Sequence, residues 1–172
     1  MLNYIEHGDG PNPPLIIAHG LFGSARNWGV IAKRLSDTRR VIAVDMRNHA
    51  GSFWDDDHSY AALGADLREV ITHIGGPVDL LGHSMGGKAA MMAAVSGADI
   101  RRLIVADIAP VAYAHTQQHL IDAMRGLDLE NINTRADATA QLSQVVDHPM
   151  VVSFLLQSLN MTNKTWRLNL DV

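Results

Sequence analysis

The chain has 172 residues, 47% of them hydrophobic and 19% charged, an ordinary globular composition with enough length to bury one core. Fourteen Lys+Arg against 18 Asp+Glu leave a net charge of −4 with no like-charge block, which argues against a nucleic-acid footprint or a basic membrane-binding face. No cysteine is present, so neither a disulfide framework nor thiolate chemistry is available.

The first residues, MLNYIEHGDG, lack the charged and apolar regions of a secretory leader, and no apolar run is long enough to span a bilayer. A cytoplasmic protein is the expectation. The first buried strand is expected at 15–20, LIIAHG, followed by a helix over 27–37 and a strand at 41–46, VIAVDM. Over 59–74, Tyr60, Leu63, Leu67, Val70, Ile71 and Ile74 recur at three-four spacing, which predicts a helix capped by Ser59. Gly75-Gly76-Pro77 ends it. A strand at 78–84, a helix at 85–97 and a strand at 102–110 follow.

None of the strand runs alternates polar with apolar, which suits strands covered on both faces. Strand-helix alternation of this kind predicts a three-layer α/β fold, with a mostly parallel sheet between helices. After Pro110 the pattern turns helical, over 113–127, 134–147 and 149–159, with Thr134 and Asp137 spaced as a capping box. No further buried strand is expected. The reading is a core over 1–111 and a helical cap over 112–172. Ligand sites in such sheets lie at the carboxyl ends of the strands.

Residues 82–88, GHSMGGK, fit two motifs at one such end. As G-x-x-x-x-G-K they resemble a phosphate-binding loop, with Asp45 or Asp107 as the acidic partner of its metal. Ala89 then stands where a Ser or Thr must ligate that metal. As G-x-S-x-G they form the sharp strand-to-helix turn that presents Ser84 as a nucleophile, with the Met85 amide as one oxyanion donor. The second donor of that arrangement comes from a loop after an earlier strand. Residues 19–24, HGLFGS, supply it, with Leu21 as the expected donor and Phe22 as the alternative. A phosphate-binding protein has no use for that loop, so the serine reading is preferred.

The stretches HGLFGSARNW (19–28), DMRNH (45–49), GHSMGGKAAM (82–91) and DIAPV (107–111) together resemble the α/β-hydrolase superfamily, and within it the YbfF-like bacterial serine esterases. The resemblance implies a catalytic triad with Ser84 as nucleophile and Asp107 as acid. It also implies hydrolysis of short acyl esters, thioesters among them, on a small-molecule substrate and without a cofactor or metal. The family's histidine belongs to a loop after the last strand. No such strand follows Asp107 here, so the chain is expected to be an N-terminal portion, with the histidine on a missing segment or a second chain. Where the family pattern reads DMRNHG, this chain has Ala50, and Gly51 is expected to restore the turn.

Other residues have plainer readings. His115, His119 and His148 are expected to be exposed or packed within the cap. His115 and His119 have metal-ligand spacing, but Thr116 replaces the glutamate that the zinc-protease pattern needs. His19 and His83 are expected to support the oxyanion loop and the elbow, and Asp45, Arg47, Asn48 and His49 to tie neighbouring loops together. Met85, Met91 and Met92 read as core filler, and Lys88 as solvated or ion-paired. Phe22, Phe154 and Leu155 are candidates for an acyl pocket. Two other functions remain open: a non-catalytic scaffold that binds a ligand or partner, and a nucleotide binder using Gly87-Lys88.

Overall fold

The structure is a computed structural model that describes residues 1–114 and 116–172. The chain forms two compact units, Met1–Pro110 with Val172, and Val111–Asp171.

The first unit is built on β1 (Tyr4–Ala18), a 3-10 turn (Ala25–Trp28), α1 (Gly29–Leu35) and β2 (Arg39–Val44). It continues through α2 (Tyr60–Ile74), β3 (Val78–His83), α3 (Met85–Val95) and β4 (Ile100–Ala106). The strands lie in the order β2-β1-β3-β4. Leu15 through Ala18 run parallel with Val41 through Val44 on one side and with Asp79 through Gly82 on the other. Successive residues of β1 feed opposite layers. Ile16 and Ala18 join Leu67, Ile71, Leu80 and Ala89 on the α2–α3 face, while Leu15 and Ile17 join Ala25 and Ala32 on the α1 face. This alternation makes a three-layer structure from strands that read as continuous apolar runs.

Ser59 caps α2 by accepting the Ala62 amide at 3.2 Å. At the opposite edge of the sheet, Asp79 is buried between Arg39 (2.8 Å) and Arg101 (2.8 and 2.6 Å), a cluster joining β2, β3 and β4. The chain leaves β1 first for β2 and later for β3, so the topological switch point lies between β1 and β3, at their carboxyl ends.

The second unit contains α4 (Gln118–Arg125), α5 (Arg135–Leu142), α6 (Pro149–Leu156) and a short antiparallel pair, β5 (Leu159–Asn160) with β6 (Thr165–Trp166). The capping box forms at α5: Thr134 Oγ1 accepts the Asp137 amide at 3.2 Å, and Asp137 Oδ2 accepts the Thr134 amide at 2.8 Å. Trp166 Nε1 donates to Met124 O at 3.2 Å, tying the hairpin to α4.

Three features depart from the sequence reading. β1 begins at Tyr4, and its Tyr4–His7 stretch is matched to Val44–Val41 in reverse order, so it borders β2 along the edge that Leu15–Ala18 leaves open. β4 is not covered on both faces. It is the outer strand of the four, and Leu103 and Ile104 stay 39% and 46% exposed. The β5–β6 hairpin, with two residues per strand, is too short to produce a periodic signal.

Candidate active site

Each of the four strands β1 to β4 ends in a loop holding a non-glycine residue at positive φ: Phe22 (66°), Asn48 (65°) and Ala50 (47°), Ser84 (51°) and Asp107 (56°). Such conformations each cost on the order of 1–3 kcal/mol for a residue with a β-carbon and concentrate at functional edges. The edge selected by backbone strain is the one that contains the switch point.

Ser84 occupies a turn of one residue between β3 and α3, at φ 51° and ψ −116°. Its amide donates to Ala106 O at 3.0 Å, while its carbonyl accepts the Gly87 and Lys88 amides at 2.9 and 3.1 Å. The side chain caps no amide of α3, which leaves the hydroxyl outside the helix's own hydrogen bonding. The flanking glycines are a packing requirement. A β-carbon on Gly82 would lie 2.3 Å from Gly86 O, and one on Gly86 would lie 2.4 Å from Ala18 O. This geometry rejects the phosphate-loop alternative. Gly82 is inside the strand and Gly87-Lys88 inside the helix, so no loop remains to wrap a phosphate. Lys88 Nζ lies 5.4 Å above the Tyr60 ring.

The loop after β1 lies against this turn. A β-carbon on Gly20 would meet Ser84 Cβ at 3.2 Å and His83 Nδ1 at 3.0 Å. Gly20–Gly23 form a tight turn closed by Gly23 N–H to Gly20 O at 3.0 Å, with Phe22 at the third position in a conformation usually given to glycine. The Phe22 amide donates to His49 Nε2 at 3.2 Å. That bond engages the one N–H of Phe22. The Leu21 amide has no acceptor among the described residues, and the Met85 amide, at the first position of α3, has none within the helix.

Two buried histidines join this loop to the one after β2. His19 Nε2 accepts the Met46 amide at 2.9 Å, so its proton is on Nδ1, which donates to Gly20 O at 2.8 Å. His49 likewise donates from Nδ1 to Arg47 O at 2.8 Å. Burial lowers His19 from 6.5 to about 4, against the opposing effect of its bond to Gly20. Burial, reinforced by His19 5.0 Å away, lowers His49 from 6.5 to about 3. Both rings are therefore neutral at pH 7. Asp45 accepts the Ala25 amide at 2.7 Å, and Arg47 forms a two-pronged pair with Asp66 of α2 at 2.5 and 2.7 Å. Ala50 itself holds the left-handed conformation, while Gly51 is pressed against Asn3 and Asp45 and does not restore the turn as expected.

Asp107 follows β4 directly, and its exposed carboxylate lies 3.7 Å from His83 Nε2. Sequence reasoning placed both residues near the site but did not foresee this pairing. His83 also packs edge-on to Trp28, with ring centroids 6.1 Å apart.

The model of the alpha/beta hydrolase family matches residues 15–170. The chain belongs to that family. A mouse relative, "sn-1-specific diacylglycerol lipase ABHD11", is 39% identical over 95% of the chain and 57% of its own length. "Esterase YbfF" of Escherichia coli is 37% identical over 94% of the chain and 64% of its own length. The chain thus spans between about half and two thirds of the length of these curated relatives. A solved structure titled "Marine microorganism esterase" superposes with a TM-score of 0.91 at 37% identity, covering 99% of this chain and 69% of the other.

The remaining candidates lie in the second unit. Phe154 is partly buried on α6, whereas Leu155 is fully buried and offers no surface to a ligand. His115, whose spacing with His119 the sequence reading set aside as a metal pair, lies outside the described residues. Among the described residues, no group of three His, Cys, Asp or Glu side chains is placed to hold a metal, and no helix is long and apolar enough to cross a membrane.

Proposed function

We propose that the protein is a serine carboxylesterase that cleaves acyl esters through an acyl-serine intermediate. The observation that carries this reading is the Ser84 turn: a strained single-residue connection at the N-terminus of α3, with a glycine turn abutting its β-carbon. Ser84 Oγ attacks the ester carbonyl carbon as a histidine acting as general base takes its proton. The amides of Leu21 and Met85 receive the oxyanion, each contributing about 3 kcal/mol to the transition state. Collapse expels the alcohol, which takes the proton back from the histidine. Water then attacks the acyl-serine by the same route in reverse.

Asp107 orients the histidine and stabilises its cationic form. Its position at the end of the strand beside β3, with a carboxylate open to a partner, supports that role. Short acyl esters and thioesters are the first substrates to test. Acylglycerols belong beside them because the mouse relative's name specifies one.

The reading is tested with p-nitrophenyl esters from acetate to octanoate, using the natural protein over its whole length. Expected losses in kcat are at least about 10⁴-fold for S84A and about 10²- to 10⁴-fold for D107N. Wild-type turnover by S84A would discard the mechanism.

A further inference from the structure

We propose that His49 is a positioning residue for catalysis: by accepting the Phe22 amide it holds the Gly20–Gly23 turn so that the Leu21 amide faces the oxyanion. The inference rests on the esterase reading and adds to it a residue that does not touch substrate. His49 is 2% exposed, and the hydrogen bond it accepts spans 27 positions of sequence. The Phe22 amide belongs to the peptide that a reorganised turn would rotate first, because Phe22 is held at φ 66° where glycine is the usual residue. An apolar side chain in place of His49 leaves that buried N–H without an acceptor and the strained turn without its restraint.

The ring is itself fixed. Nδ1–H donates to Arg47 O, and Arg47 is anchored to Asp66 of α2, so the acceptor is carried on a rigid element. A second bond, from the Ala25 amide to Asp45 Oδ1, fixes the far end of the same loop. In return, His19 from the loop after β1 accepts the Met46 amide. Leu21 therefore sits between two confined neighbours: Gly20, where an added β-carbon would lie 3.2 Å from Ser84 Cβ, and Phe22, whose N–H is held by His49. Misplacing a catalytic group by about 1 Å can cost on the order of 100-fold in rate, so a ring that touches no substrate can still govern turnover.

The test compares H49F, which has no acceptor, with H49Q, whose amide can accept from Phe22 and donate to Arg47 O. Both are assayed alongside S84A on the whole natural protein, with circular dichroism and active-site titration to count folded sites. The expected result for H49F is a fall in kcat of about 30- to 100-fold with KM within about threefold, since an oxyanion donor acts mainly in the transition state. H49Q is expected to keep kcat within about fivefold of wild type. A folded H49F with wild-type kcat overturns the positioning role and leaves the esterase reading standing. Wild-type protein without Ser84-dependent turnover overturns that reading and the proposal with it. A measurement independent of variant folding is the ¹⁵N–¹⁵N coupling across the Phe22–His49 hydrogen bond. Its presence is expected, and its absence at neutral pH overturns the proposal.

Discussion

Lowering the pH from 7.5 to 5.0 is predicted to remove about 4 kcal/mol from the stability of the first unit. The cause is the buried pair His19 and His49, held neutral in the fold at values of about 4 and about 3. In the unfolded chain both revert to about 6.5. At pH 5.0 each unfolded ring binds a proton that the folded ring does not, and the free energy of that protonation is about 2 kcal/mol per ring. The folded values lie below pH 5.0, so the sum depends on their being depressed rather than on how far. Because both are depressed, the contribution is complete above pH 6.5 and declines as pH falls toward the folded values. His58, also lowered by burial, acts in the same direction.

The assay is urea unfolding at the two pH values, followed by fluorescence in a W166F background so that Trp28 and Trp54 report on the first unit. Removing one titrating ring in H49Q should cut the loss to about 2 kcal/mol, although this variant is less stable at pH 7.5. An H19Q/H49Q double variant that loses as much stability as wild type would refute the reasoning.

Two further predictions rest on local geometry. A50G is expected to stabilise the first unit by about 1 kcal/mol, because Ala50 holds φ 47° and glycine removes the penalty there; a lower urea midpoint would contradict this. D79N is expected to destabilise by about 2 kcal/mol. It strips Arg39 and Arg101 of their carboxylate, but both arginines remain partly exposed and regain water, which keeps the cost below that of a fully buried pair. Unchanged thermal stability of D79N would show that the cluster contributes nothing.

The elements that could be read from sequence were those whose signals are local. The α2 helix carries a three-four apolar stripe, a serine cap and a Gly-Gly-Pro stop within 19 residues. The elbow could be read because its glycines answer a steric demand inside one short turn, and the Thr134–Asp137 cap because its two bonds join residues three apart. Signals that depend on distant neighbours stayed hidden. The Tyr4–His7 stretch mixes Glu and His with apolar residues, and only its pairing with β2 makes it a strand. Leu103 and Ile104 look like core residues in sequence, yet on β4 they stay 39% and 46% exposed. The sequence marked His49 and Phe22 separately, as a loop-tying residue and a donor candidate. Their hydrogen bond exists only once β1 and β2 lie side by side.

The most direct test of the account is a denaturing intact-mass measurement of the natural protein after treatment with a fluorophosphonate, with S84A in parallel. The account predicts one adduct per chain on wild type, mapped by peptide fragmentation to Ser84, and none on S84A. An unlabelled wild type, or an adduct that persists in S84A, would contradict the assignment of Ser84 as the nucleophile.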